Sequence, residues 1–158
     1  MTAATAFNRR LPEDELQAQL RDLLCLAVVG DHVRWVLTGD GGREFADWLA
    51  EAGVSWRAWA EQVAKQLVAS GVAPDGRVRS LSKDISLNWV PEGWLDADAG
   101  RRLVAQRLGT VTDWAHHRRS RGSGANAELL EVICSGFETQ RQSLRDMAQR
   151  AQRPNSST

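Results

Sequence analysis

Four long stretches with helical periodicity constrain the fold of this chain more than any other feature. In each stretch, apolar residues recur at steps of three and four, as on one face of an α-helix. Glycine-rich breaks separate them, most clearly Gly39-Asp40-Gly41-Gly42 and Gly122-Ser123-Gly124. No segment requires a β-strand. The pattern predicts an all-α protein with helices over about 11–38, 43–69, 96–121 and 126–150.

Local signals support these boundaries. Pro12 fits the first turn of the first helix, where a missing N–H costs nothing, and the acidic residues after it favour the positive end of the helix dipole. Asp96 is a good N-cap for the third helix. Gly53 interrupts the second helix, and we interpret it as a point of close packing. The sequence thus predicts a bundle over 11–152 between flexible tails, 1–10 and 153–158.

The connection between the second and third helices is long, covering about residues 72–95. It contains two turn signals, Pro74-Asp75-Gly76 and Pro91-Glu92-Gly93. Between them, the segment from Ser80 to Asn88 is predicted to form a short helix, with Leu81, Ile85 and Trp89 on one side. Two helices, a long crossover and two more helices are the order of a ferritin-like four-helix bundle.

Composition excludes several classes of protein. The 20 basic and 20 acidic residues balance, which argues against a generic polybasic nucleic-acid binder. The longest apolar run, Leu23 to Val29, is far shorter than the roughly 20 residues that cross a bilayer. The amino terminus does not resemble a signal peptide, so we expect a cytoplasmic protein without membrane contact. Cys25 and Cys134 lie too far apart for a thiolate zinc site and are expected to be buried.

The end of the first helix carries a more specific signal. The segment Arg34-Trp35-Val36-Leu37-Thr38-Gly39 resembles the His-Trp-x-x-x-Gly segment of the Dps family, the DNA-protecting mini-ferritins of starved bacterial cells. Ala64-Lys65-Gln66 and Ser70-Gly71-Val72 keep the family's spacing from Trp35 without a gap. The resemblance covers about residues 16–147. It implies a bacterial stress-response protein that forms a hollow dodecamer for iron storage and DNA protection.

The same resemblance locates the positions where that family binds iron between two subunits. Counting without gaps, these positions hold one acid, two methyl groups and two cations: Arg34, Ala46, Ala50, Glu61 and Lys65. The last four share one face of the second helix at about 100° per residue. A shift of three residues gives only Leu49, Gly53, Ala64 and Val68, so neither register restores ligands. Trp35 matches the family's tryptophan beside the iron site, and we expect a structural role for it here.

A single carboxylate between cations does not hold ferrous iron against water. We therefore predict a degenerate ferroxidase site, no resident metal and no cofactor, with iron bound only weakly or through a partner subunit. One hypothesis is that Arg34 and Lys65 neutralise a buried Glu61. The alternative is that all three are solvated charges without mutual contact. His32 and Asp31, adjacent on the helix, do not chelate together and are expected at the surface.

The densest basic patch lies at the end of the third helix and comprises His116, His117, Arg118, Arg119 and Arg121. Two interpretations remain open for it. Cations there complement the helix dipole, or they form a phosphate-binding or DNA-binding patch that an oligomer displays many times.

Helix-spaced Trp48, Trp56 and Trp59 also allow two interpretations. They are expected to pack in the core, and the alternative is a ligand pocket.

The leading prediction is a Dps-like shell subunit without its own ferroxidase activity, forming a homo-oligomer, by resemblance a dodecamer, alone or with a paralogous Dps subunit. Two alternatives remain: a dimeric helical-bundle interaction module, and an iron-storing Dps protein with a non-standard site.

Overall fold

Five helices and one short pair of strands make up the computed structural model, which describes residues 3–83 and 89–153, with side chains from Asp14 onward. The helices are α1 (Ala3–Val36), α2 (Gly42–Ala69), α3 (Val78–Leu81), α4 (Ala97–Arg121) and α5 (Gly124–Gln152). The strands are β1 (Leu37–Thr38) and β2 (Leu95–Asp96). Helix α1 packs mainly on α2 and α4 mainly on α5. The ferritin-like order predicted from the sequence is confirmed.

Helix boundaries agree with the sequence prediction at α2, α4 and α5 and differ at α1. Helix α1 begins at Ala3, well before the expected start at Leu11, so Pro12 lies inside it. A proline within a helix loses one backbone hydrogen bond, and the rest of the helix continues around it. As predicted, Asp96 caps α4: its carboxylate accepts from the N–H groups of Asp98 and Ala99, at 3.0 and 3.3 Å.

The expectation that the chain contains no strand is wrong at one place. Helix α1 ends at Val36 rather than Thr38, and β1 pairs in parallel with β2, in the register Leu37 to Leu95 and Thr38 to Asp96. Two residues are too few to show the alternation that marks a strand in a sequence. The pair ties the end of α1 to the start of α4, and Gly39 makes the turn after it with a φ of 87°.

The crossover contains a shorter and earlier helix than predicted. Helix α3 ends at Leu81, which is buried, whereas the predicted helix started at Ser80. Ser82 and Lys83 form a turn rather than continuing the predicted helix, and the rest of that prediction, including Ile85, falls on residues 84–88, outside the described residues. Gln17 fixes the first half of the crossover to α1, because its side-chain amide bonds both the N–H and the C=O of Asp75, at 2.9 and 2.7 Å.

The core fills the space between the two helical hairpins with aliphatic and aromatic side chains. Trp56 and Phe137 are its largest buried members on α2 and α5. Cys25 and Cys134 are also buried, as expected, and burial raises the pKa of the Cys134 thiol, so it stays protonated at neutral pH. No helix within the described parts of the chain is both long and apolar enough to cross a membrane.

Close packing occurs at Gly53, as predicted, and is closer still at two other glycines. A Cβ at Gly53 would lie 3.2 Å from the guanidinium end of Arg57. A Cβ at Gly30 would lie 2.9 Å from the ring of Trp56, and one at Gly136 would overlap the ring of Trp59. The tightest helix approaches therefore involve α1 with α2 and α2 with α5, where tryptophan rings lie over glycine backbone.

Candidate functional site

Four of the five positions that correspond to the family's iron ligands lie along α2, and Arg34 lies on the last turn of α1. Ala46 is half-buried, whereas Ala50, Glu61 and Lys65 are exposed. Lys65 Nζ lies 3.4 Å from Glu61 Oε1, and the two side chains are 65% and 68% exposed. Within one chain the pair is a solvated surface ion pair, which contributes under about 1 kcal/mol to stability.

Arg34 does not contact Glu61, contrary to the hypothesis that it helps to neutralise that acid. Its Nε lies 3.2 Å from Asp31 Oδ1, one turn earlier on the same helix. Arg57 of α2 contacts the other oxygen of Asp31. Arg34 pairs with Asp31 because residues three apart on a helix place their side chains next to each other.

Asp31 was expected only as a surface residue, but in the structure it pairs with two arginines. Burial raises its pKa, but the hydrogen bonds from Arg57 and Arg34 outweigh burial, and the net effect lowers the pKa of Asp31. The carboxylate therefore stays ionised and links α1 to α2. The spacing of three residues between Asp31 and Arg34 predicts their ion pair. The contact with Arg57, 26 residues further along the chain, has no local sequence signal. His32 is exposed, as expected.

The donor atoms at these positions do not fit iron. Glu61 supplies one carboxylate, a cation lies beside it, and the alanines supply no donor. In the described portion of the chain, no group of three or more His, Cys, Asp or Glu residues could hold a metal ion. Ferrous iron needs several anionic or imidazole donors. Within the described part of one chain, the region is an ion-paired surface.

Exposed apolar side chains also occur on α1 and α2. Trp35 is 64% exposed, with the Arg34 guanidinium carbon 5.8 Å from its ring centre. Three exposed valines accompany it, one on α1 and two on α2, each at least half exposed: Val28, Val54 and Val68. We call Trp35 and these three valines the α1–α2 face. Val28 and Trp35 are seven residues apart on α1, and Val54 and Val68 are fourteen residues apart on α2, so each pair lies on one side of its own helix.

The three helix-spaced tryptophans of α2 pack in or against the core, as predicted, and Trp48 and Trp59 are half-buried. Trp56 is buried and donates from Nε1 to Gln140 Oε1 at 2.9 Å. Trp48 Nε1 donates to Ser143 Oγ at 3.2 Å, and Trp59 meets Phe137 edge to face at 5.5 Å. All three contacts reach α5, so these rings fix the distance between the two hairpins.

The basic patch at the end of α4 is largely neutralised by acids of neighbouring helices. Arg118 Nη1 lies 2.6 Å from Asp22 Oδ2 and 2.8 Å from Gln19 Oε1, both on α1. Arg121 pairs with Glu15 at 3.1 Å, Arg119 contacts Glu131, and His116 Nε2 lies 3.2 Å from Glu138. Only His117 of the five has no such contact among the described residues. These contacts link the end of α4 to α1 and α5.

Comparison with solved structures identifies the fold of this chain. Dps92 of Deinococcus radiodurans superposes with a TM-score of 0.83 at 20% identity, over 87% of this chain and 86% of that one. Dps of Thermosynechococcus elongatus gives 0.81 at 14%, over 92% and 95%. A dodecameric thioferritin, the bacterioferritin-related protein of Bacteroides fragilis, gives 0.82 at 13%, over 90% and 87%.

At the level of sequence, no protein-family model and no curated protein matches the chain. The structural likeness nevertheless covers between 86% and 95% of each of these neighbours. This chain has the ferritin-like four-helix fold of the Dps proteins.

Proposed function

We propose that this chain is the subunit of a hollow, Dps-like homo-oligomeric shell that lacks a ferroxidase centre of its own. The observation that carries the proposal is the replacement of donor atoms on the mini-ferritin scaffold. Methyl groups and an exposed Glu61–Lys65 ion pair occupy the positions that the family resemblance assigns to iron ligands. Any part in iron storage or DNA protection would then depend on the shell, or on a paralogous subunit that supplies ligands.

The α1–α2 face supports the assembly. Its four apolar side chains are exposed in the single chain, and their burial against a second copy would remove that apolar area from water. The same two helices carry charges of both signs, with Asp31 and Glu61 paired to Arg34, Arg57 and Lys65. Such a surface is complementary to itself when two copies meet about a two-fold axis.

The solution mass tests the shell. We expect about 210 kDa, twelve chains of 17.5 kDa each, by light scattering. Val54→Asp places a charge on the α1–α2 face and is expected to give smaller species. The matched control is Val132→Asp, which alters a similarly exposed valine on α5 and is expected to preserve the particle. A wild-type dimer near 35 kDa would overturn the shell and favour the interaction module.

Ferrous iron oxidation tests the missing centre. With hydrogen peroxide as oxidant, we expect the rate in the presence of the purified homo-oligomer to equal the protein-free rate, because one carboxylate does not hold Fe(II). Glu61→Ala is expected to leave this rate unchanged. A rate well above the protein-free control that falls to background in Glu61→Ala would contradict the proposal and favour a non-standard iron site.

A further inference from the structure

We propose that the cleft between α1 and the start of the crossover binds a small dianionic oxyanion, such as inorganic phosphate or a phosphate monoester. The cleft has a volume of about 500 Å³ and is lined by Arg21, Asp75, Arg77, Ser80 and Lys83. The described lining thus contains three cations, one hydroxyl and one carboxylate. The inference is independent of the proposed shell, because every lining residue belongs to a single chain.

The floor of the cleft is held in place before any ligand binds. The Gln17 amide fixes the backbone of Asp75 to α1 through two hydrogen bonds. The Asp75 carboxylate accepts from Arg77 Nε at 2.9 Å, from Arg77 Nη2 at 3.1 Å and from Ser80 Oγ at 2.7 Å. These contacts fix the backbone that carries Arg77 and Ser80, so this side of the cleft needs no further ordering when an anion binds.

Asp75 does not cancel the positive charge of the cleft, because Arg77 already neutralises it. The hydrogen bonds from Arg77 and Ser80 lower the pKa of the Asp75 carboxyl far below its usual range, so this pair stays ionised at neutral pH. Arg77 directs Nε and Nη2 at the carboxylate, and among the described residues its Nη1 makes no hydrogen bond.

Two further cations, Arg21 and Lys83, line the cleft. Arg21 is half-buried and lies one turn after Gln17 on α1, and Lys83 lies just beyond α3. Neither forms an ion pair with any residue that the structure describes, in contrast to the arginines at the end of α4. The described lining therefore carries two uncompensated positive charges. That charge matches a dianion, and arginine is suited to phosphate oxygens because it donates from a planar fork.

Titration calorimetry on the full chain tests this site. We use inorganic phosphate, phenyl phosphate and dimethyl phosphate at low salt and about pH 8, where a phosphate monoester is a dianion. We expect saturable binding of the first two ligands. The diester carries a single charge and is expected to bind at least about tenfold more weakly. The tighter of the two dianions then indicates whether the site takes free phosphate or a monoester.

Variants assign the binding to the cleft. Arg21→Gln is expected to raise the dissociation constant about tenfold, the loss of one charge-assisted contact. Arg79→Gln is the matched control, because Arg79 is exposed on α3 and does not line the cleft, and it is expected to change binding less than about twofold. Lys83→Gln provides a second test if Arg21→Gln does not fold. Absence of saturable binding, equal binding of the diester, or an equal loss in Arg79→Gln would overturn the proposal.

Discussion

Replacing Arg118 with methionine is expected to lower the free energy of unfolding by about 3–5 kcal/mol, because it breaks a buried ion pair. The Arg118 and Asp22 side chains are only 13% and 4% exposed, and their atoms lie 2.6 Å apart. Methionine retains much of the side-chain volume but leaves the buried Asp22 carboxylate without this guanidinium. Urea denaturation followed by circular dichroism, at a fixed chain concentration, measures the change.

The neighbouring residue provides the control for this experiment. Arg119 lies on the same turn of α4 and also contacts an acid, Glu131, but these side chains are 38% and 61% exposed. Arg119→Met is therefore expected to cost under about 1 kcal/mol. Similar losses in the two variants would show that helix-end charge, rather than the buried pair, stabilises this end of the bundle.

Replacing Gly136 with alanine is expected to destabilise the protein by about 1–3 kcal/mol or more, although alanine normally favours a helix over glycine. The added Cβ would overlap Cζ2 and Cη2 of Trp59, both in the rigid six-membered ring. That ring also contacts Phe137 at 5.5 Å, so it has little room to move away. The melting temperature and the urea midpoint should both fall.

Two variants distinguish the steric overlap with Trp59 from the higher helix propensity of alanine. Gly109→Ala places the same methyl group inside α4 at ordinary contact distance, 3.5 Å from the flexible end of Arg141, and is expected to be neutral or to stabilise by up to about 1 kcal/mol. Trp59→Phe removes the overlapping part of the ring. Gly136→Ala should therefore cost less in the Trp59→Phe background than in the wild type. If its cost is the same in both backgrounds, the overlap does not explain the destabilisation.

The sequence predicts contacts of the candidate site only between residues that are neighbours along one helix. The Glu61–Lys65 pair follows from a spacing of four. Asp31 required the structure, since its second partner, Arg57, comes from another helix. The same holds for the basic patch at the end of α4, because the acids that neutralise it lie on α1 and α5. The oxyanion cleft likewise depends on Arg21 meeting a distant segment of the crossover.

The same distinction between local and long-range features applies to the fold. Periodic apolar residues, glycine breaks and the Asp96 cap determined the four long helices and their order, because these features act within a few residues of the chain. Only the tertiary structure decided the pairing of Leu37 with Leu95, the close approach of Gly136 to Trp59 and the choice of ion-pair partners. Those features arise when segments distant in sequence meet in space, and the energies that select them depend on distance and burial, which a linear pattern does not contain.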